Sequence, residues 1–333
     1  MKHKILWIGY GNFAQKIGRI VIDWSEKVEI SFFYPDKVEA IKHFGSEASW
    51  DLSEALADPD TDIVFITTPN DSHAFYLEHC LRAKKHVFVE KPIAGYYHEA
   101  LPLKALLQKD KVFMVGHNKR REAPIRKAKE LISDGVIGEV VSIYANDSKG
   151  IAYQMDQSNW RFQKTRHREG PLITVGIHLI EAIHYLAGRV DSVSSVLKNI
   201  SRLSAVPDSN ATMLCLEKDA TAFIEANYNM PSVDVFNIYG TDGIINILGD
   251  QMWLRNGRDI NKVSSPELEI DLNPIDTIAE EINEFFDVIE GKKKNVETGY
   301  QEALNALAVI EACWQSSQQK RIVAMSEFKK YCI

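Results

Sequence analysis

The 333-residue chain has only four cysteines, Cys80, Cys215, Cys313 and Cys332, and no two lie close together. That excludes a Cys-x-x-Cys redox motif and a cysteine zinc cluster, and no metal site is expected. Cys80 and Cys313 fall on apolar faces of helical stretches, as core thiols do, so a reducing compartment, the cytoplasm, is expected. No run approaches the roughly 18 apolar residues of a membrane helix. The apolar run after Met1-Lys2-His3-Lys4 is too short for a secretory signal, so no membrane partner is expected. A basic excess is also missing. The 39 Lys and Arg against 46 Asp and Glu give a net charge of −7, which argues against nucleic acid as a partner. Lys292-Lys293-Lys294 is one short basic run and reads as a solvated loop. Repeats, low-complexity tracts and linker-like stretches are absent. What remains is an ordinary globular composition, 45% hydrophobic and 26% charged, at a length that suits two domains.

The most informative stretch is Ile5-Leu6-Trp7-Ile8-Gly9-Tyr10-Gly11-Asn12-Phe13-Ala14. Four apolar residues suit a strand buried on both faces and run into Gly-x-Gly-x-x-Ala, and residues 14–22 read as a helix. Strand, glycine turn and helix in that order are the context of a dinucleotide fingerprint. Gly9 allows the tight turn, Gly11 lets backbone approach a pyrophosphate, and Ala14 lets helix and strand pack closely. The free amides at the helix start attract phosphate. Val28 to Tyr34 is the expected second strand, whose tip reads the adenosine ribose. Counting about 20 residues on from Ala14 reaches Tyr34, not an acid. Asp36 and Lys37 follow. Asp36 either reaches a ribose or caps the next helix, and Lys37 suits a phosphate, so NAD and NADP both stand, with the missing acid leaning to NADP. Asp62 to Ile66 is a strand ending in Thr67-Thr68-Pro69-Asn70, which should border the cofactor because ligands of open parallel sheets sit at the carboxyl ends of strands.

A further strand ends in Glu90-Lys91-Pro92, which puts an ammonium at the mouth of the sheet with Glu90 as counter-charge. Gly9-x-Gly11-x-x-Ala14, then Thr68-Pro69-Asn70-x-x-His73, then Lys85-His86-Val87-x-Val89-Glu90-Lys91-Pro92 resemble the glucose-fructose oxidoreductase / inositol dehydrogenase / rhizopine catabolism (Gfo/Idh/MocA) family. The resemblance extends over about residues 2 to 325. It implies an NAD(P) cofactor held by Gly9, Gly11, Asn12, Phe13, Ala14, Tyr34, Asp36, Lys37, Thr67, Thr68, Pro69, Asn70, His73, Glu90 and Lys91, with Lys91 beside both substrate and nicotinamide.

Val112 to Asn118 reads as the strand that closes this first domain, placed at residues 1–120. From Gly138 the pattern changes to alternating segments, Glu139–Asn146, Val190–Lys198, Ala211–Glu217, Thr221–Tyr228, Val233–Gly240 and Gly243–Leu248, with turn pairs such as Asp242-Gly243 between them. That predicts an α/β Rossmann domain with a parallel sheet, followed by an α+β domain (121–333) with an open, mostly antiparallel sheet and helices on one face. The resemblance implies that this second domain binds substrate and pairs subunits into a homodimer or homotetramer. Helices are expected over 275–289 and 300–317.

Thr174 and His178 are four residues apart, a spacing that puts both on one helical face. A lone His in an apolar helix is usually a satisfied core residue. The resemblance instead aligns this segment with the family's Asp-x-x-x-His element, both of whose residues serve at the substrate hydroxyl, and makes Lys91, His178 and Thr174 the catalytic candidates. The usual Asp is here Thr174, which can hydrogen-bond but cannot carry a negative charge. Asn118, Arg120, Trp160, Arg161, His167 and Arg168, with Lys91 and His178, are the candidate substrate contacts. The extra bases Arg161, His167 and Arg168 either hold an anionic sugar phosphate, nucleotide sugar or sugar acid, or pair with neighbouring acids. The expected activity is hydride transfer between NAD(P) and a secondary alcohol or ketone of a sugar-like substrate. A dinucleotide-sensing regulator without catalysis is the second reading, which Thr174 leaves open.

Overall fold

Ile5, Leu6, Trp7 and Ile8 are all buried, as a strand covered on both faces requires. In the computed structural model, residues 3–22, 28–45, 48–156, 158–257, 267–328 and 331 are described, apart from the side chains of Asn12 and Ile22. Met1, Lys2 and Cys332 lie outside the described residues. The chain divides into two compact units, Met1–His117 with Ile278–Leu304, and Asn118–Thr277 with Asn305–Ile333.

The first unit runs β1 (His3–Ile8), α1 (Asn12–Ile22), β2 (Val28–Phe33), α2 (Lys37–Phe44), β3 (Ala48–Ser49), α3 (Leu52–Ala57), β4 (Thr61–Ile66), α4 (His73–Arg82), β5 (His86–Glu90), α5 (Tyr97–Ala100) and β6 (Phe113–Gly116). Its six strands lie in the order β3-β2-β1-β4-β5-β6, and every pairing is parallel. The order reverses between β1 and β4, which makes their carboxyl ends the switch point where ligands of doubly wound sheets bind. α2 and α3 start where an aspartate can cap them: Asp36 accepts from the amides of Val38 and Glu39, and Asp51 from that of Glu54.

The second unit begins with α6 (Ala123–Ser133), β7 (Val140–Ser148), α7 (Ile177–Ala187), β8 (Val190–Lys198), β9 (Ser209–Leu216), β10 (Thr221–Glu225), β11 (Val233–Gly240), β12 (Gly243–Leu248), β13 (Gln251–Asn256) and β14 (Leu268–Ile270). After α8 (Thr277–Ile289) and α9 (Tyr300–Gln319), β15 (Val323–Ala324) completes a nine-stranded sheet, ordered β14-β13-β12-β11-β7-β10-β9-β8-β15. Among the described residues only β7 and β10 pair in parallel. β13 and β14 extend the sheet beyond the alternating segments read from the sequence. β13 is half-exposed along most of its length and β14 has only three residues, so neither shows a clear period of two.

The return of α8 to the first unit is the main long-range feature of that core. Phe285 and Phe286 are fully buried. Phe285 sets its ring edge-on to Phe65 and Phe88 at centroid distances of 5.7 and 5.9 Å. Phe65 in turn stacks on Trp7 at 5.0 Å. The segment before α9 then covers the free edge of β6, where Val115 donates to the Thr298 carbonyl at 2.8 Å and Thr298 Oγ1 donates to the Val115 carbonyl at 2.8 Å. Phe285→Ala is therefore expected to destabilise the first unit by about 3–5 kcal/mol. Denaturant unfolding followed by near-ultraviolet circular dichroism would read it, and a loss below about 1 kcal/mol would mean that α8 is dispensable to this core.

Candidate functional site

At the carboxyl end of β1 the chain must turn within a few ångströms of β4. Gly9 does so at φ +85°, and a Cβ there would stand 2.6 Å from Thr68 Cγ2. Thr67 ties the turn down. Its hydroxyl accepts from Trp7 Nε1 at 2.9 Å and donates to the Gly9 carbonyl at 2.5 Å. Ser72 Oγ donates to Thr68 Oγ1 at 2.8 Å. α1 follows with no acid in its first turn, in contrast to α2 and α3, whose first turns hold Glu39 and Glu54 besides their Asp caps. The positive end of α1 is left for an outside anion. Ala14 is fully buried, and Tyr10 and Phe13 stand half-exposed beside the turn.

Two polar atoms near these strand ends are buried without a hydrogen-bond partner among the described residues, Asn70 Nδ2 after β4 and Glu90 Oε1 at the end of β5. One is a donor and the other an acceptor, as a ribose hydroxyl or carboxamide would need. These orphans, the glycine turn and the acid-free helix start fit a dinucleotide. Glu90 lies opposite Gly116 in the β5–β6 ladder, and a Cβ on Gly116 would come 2.8 Å from Glu90 Oε1. Burial pushes the Glu90 carboxyl up to about 7, against the pull of the neighbouring Lys91 ammonium. Lys91 follows at the mouth of the sheet, half-buried, and its peptide with Pro92 is cis.

His73 is fully buried, with Nδ1 2.6 Å from the Pro92 carbonyl and Nε2 2.8 Å from the Thr68 carbonyl. Burial lowers the affinity of the ring for a second proton, so its one N–H donates to one of the two carbonyls, and the ring sits between the Thr68-Pro69-Asn70 turn and the Lys91-Pro92 turn. At the tip of β2, Tyr34 is half-exposed, and the Asp36 carboxylate is occupied as the α2 cap. The Lys37 ammonium sits 4.4 Å from the centre of the Trp50 ring.

In the second unit, Leu172–Gly176 forms a π-helical turn that runs into α7. Single π turns inside helices recur at functional sites. Thr174 lies in this turn and His178 in the first turn of α7, both half-buried. Thr174 Oγ1 is hydrogen-bonded to the hydroxyl of Tyr228, a buried residue just beyond β10. Tyr228 carries no motif, and only the sheet register brings it to Thr174, so no local signal marks it. Trp160 meets the buried His167 edge-on at 5.4 Å, and the Arg161 guanidinium lies 4.5 Å from the centre of the Trp160 ring.

The other candidate bases have partners inside the unit. Arg168 donates to Glu169 at 2.6 Å and to Glu311 at 2.5 Å and lies over Trp314. Burial still pushes the Glu169 carboxyl up to about 7. Arg120 forms a buried ion pair with Glu181 of α7, and Asn118 Nδ2 donates to Thr277 Oγ1 at 3.0 Å. Among the described residues no group of three or more His, Cys, Asp and Glu could hold a metal ion, and no helix is long and apolar enough to cross a membrane.

Fold and strand-end chemistry define a class, the oxidoreductases with an NAD-binding Rossmann fold. Residues 3–117 match that oxidoreductase family and residues 125–246 match the GFO/IDH/MocA C-terminal domain, so the chain belongs to the Gfo/Idh/MocA family. It is 31% identical over 238 residues to levoglucosan dehydrogenase of Pseudarthrobacter phenanthrenivorans, a match covering 62% of this chain and 60% of that protein. It is 25% identical over 354 residues to the scyllo-inositol 2-dehydrogenase (NADP(+)) IolW of Bacillus subtilis, covering 97% of this chain and 96% of that one. Among solved structures, a protein of Desulfitobacterium hafniense DCB-2 superposes with a TM-score of 0.88 at 28% identity, covering 98% and 99% of the two chains.

The Glu90 geometry has a consequence for stability. An acid whose native pKa is about 7, against an ordinary 4.5, binds its proton more tightly folded than unfolded. Its contribution is neutral below about 4.5, turns unfavourable as pH rises towards 7, and is fully unfavourable above that. Without dinucleotide, Glu90→Gln should gain on the wild type between pH 5 and pH 8 by up to about 3 kcal/mol, at 1.36 kcal/mol per unit. Denaturant unfolding at the two pH values checks this, and parallel stabilities for the two proteins would refute it.

Proposed function

We propose that the protein is an NAD(P)-dependent dehydrogenase or reductase acting on a secondary alcohol or ketone of a sugar or sugar derivative. The observation that carries this is Lys91 at the carboxyl edge of the first sheet, next to Glu90, whose buried Oε1 has no hydrogen-bond partner among the described residues. A bound nicotinamide supplies the hydride acceptor or donor. The residues' own tasks follow from their chemistry. The backbone amides opening α1 hold the pyrophosphate, and Asn70 and Glu90 take up polar groups of the nicotinamide half. Lys91 binds the substrate oxygen, lowers the cost of negative charge on it and relays its proton. His178 is the general base in the oxidative direction, and Thr174 orients the hydroxyl by a hydrogen bond. Lys91→Ala should lower kcat by about 10²-fold or more while the dinucleotide Kd changes less than about threefold. Turnover that survives the substitution would remove Lys91 from this role.

The cofactor is NADP in this reading. Tyr34 replaces the acid that would bond a 2′-hydroxyl, the Asp36 carboxylate is already used as a cap, and Lys37 brings a cation to the same corner. NADP+ should bind about tenfold or more tighter than NAD+, and Lys37→Glu should cancel most of that preference, since a phosphate–ammonium contact is worth on the order of 1.5–3 kcal/mol. Equal affinities in the wild type, measured by protein fluorescence, would reverse the assignment. The substrate is anionic in this reading, because the site lacks the usual carboxylate at position 174. We extend the proposal to pairing of copies through the second sheet, on which Phe223 and Leu248 stand exposed. A regulator that senses the dinucleotide without catalysis would bind NADP+ and turn over no sugar, sugar acid or sugar phosphate.

A further inference from the structure

Of Arg120, Arg161 and Arg168, the arginines among the candidate substrate contacts, two are neutralised by the chain. Arg120 pairs with Glu181, and Arg168 with Glu169 and Glu311. Arg161 differs. It is half-buried, its guanidinium rests on the Trp160 ring at 4.5 Å, and among the described residues no carboxylate forms an ion pair with it. An indole face attracts a cation but carries no charge, so the positive charge of Arg161 is held in place and uncompensated.

A second observation concerns what that charge faces. Tyr228 is buried in a small apolar cluster with Ala152, Phe162 and Val206, and Phe162 is the neighbour of Arg161 in sequence. Its hydroxyl is bonded to Thr174. Burial pushes the phenol up to about 12, so the Tyr228–Thr174 pair stays neutral at physiological pH. Arg161 is near enough to pull the other way, favouring negative charge at this spot. The one carboxylate felt there, Asp147, faces Lys149 at 3.5 Å and also feels Lys119. Arg161 is the chain neighbour of Phe162, which packs on Tyr228, and its charge favours an anion near the two neutral hydroxyls; a carboxylate at position 174 would repel one.

We propose that Arg161, Thr174 and Tyr228 form a subsite for a single carboxylate on the substrate, which makes the substrate class a sugar acid. The proposal rests on the preceding reading in one respect, that Thr174 and His178 serve the substrate. One guanidinium balances one negative charge. A phosphate dianion would leave a second charge without a partner, so the subsite favours carboxylate over phosphate. When Thr174 donates to the phenol oxygen, the Tyr228 hydrogen can turn to the carboxylate oxygen that the guanidinium leaves over.

The test is calorimetric titration of the full chain, saturated with NADPH, with three probes at pH 7.5: glucuronate, glucose and glucose 6-phosphate. Glucuronate should bind at least tenfold more tightly than glucose. Arg161→Met should weaken glucuronate at least tenfold and glucose less than twofold, and Arg161→Lys should recover part of the loss. Tyr228→Phe, which keeps the ring in its cluster, should weaken glucuronate about three- to tenfold, as loss of one hydrogen bond to a charged group does. The proposal is overturned if glucuronate does not bind, if it binds no better than glucose, if Arg161→Met weakens both probes alike, or if glucose 6-phosphate binds more tightly than glucuronate. Reduction of NADP+ and NAD+ by the same probes, which are oxidised in turn, is followed separately by absorbance. Arg161-dependent glucuronate binding with no turnover of any probe would overturn the dehydrogenase reading and leave the subsite standing. Turnover of glucose without Arg161-dependent binding of glucuronate would do the reverse.

Discussion

The closeness of the Gly9 turn to the Thr67-Thr68 backbone governs the carboxyl edge of the first sheet. A side chain at position 9 would overlap Thr68, and the positive φ would strain any residue but glycine. Because the turn is that tight, α1 starts directly over the β1–β4 reversal, and its first amides point out from the strand ends. Thr67 holds the same turn from the β4 side through Trp7 and the Gly9 carbonyl. The buried His73 ring then lies between the Thr68 and Pro92 carbonyls, so the β4 and β5 turns are packed against one side chain. A set of loops becomes a fixed rim in this way, and Asn70, Glu90 and Lys91 inherit its rigidity.

Glu90 shows how the rim trades stability for readiness. A carboxyl with an unmatched buried oxygen is costly in the free protein, and the cost appears as its displacement towards neutral pH. The chain could have filled this spot with an apolar side chain. It instead leaves Gly116 opposite, so that the carboxyl has room. A ligand hydroxyl that met Glu90 Oε1 would recover the desolvation already spent, which is preorganisation in the usual physical sense.

Local signals carried most of the fold. The apolar strands of the first sheet, the Asp36 and Asp51 caps, the alternation from β7 to β12 and the long helices α8 and α9 are all readable from neighbours in sequence, because the forces that form them act over one or two turns of chain. The return of α8 to the first unit was not readable. Phe285 and Phe286 look like any apolar helix face until Phe65 and Phe88 are known to lie against them. The site divides in the same way. Gly9, Thr68, Asn70, Glu90 and Lys91 are contiguous motifs at strand ends. Tyr228 is 54 residues from Thr174, and only the pairing of β7, β9 and β10 delivers it. Asp36 had two readings that sequence could not separate, and the bonds to Val38 and Glu39 place its carboxylate at the helix start.

Charge within the second unit follows one pattern, and Thr174 belongs to it. Basic side chains near the π turn are matched by buried acids, Arg120 by Glu181 and Arg168 by Glu169, while the position where a relative would carry a carboxylate holds a hydroxyl. An aspartate at 174 would sit one helical turn before His178 and raise the affinity of that imidazole for a proton. With threonine there, that contribution is absent. The same change removes a negative charge from the neighbourhood of Arg161 and Tyr228. In the proposed reading, one residue type at position 174 therefore bears on both His178 and the charge around Arg161.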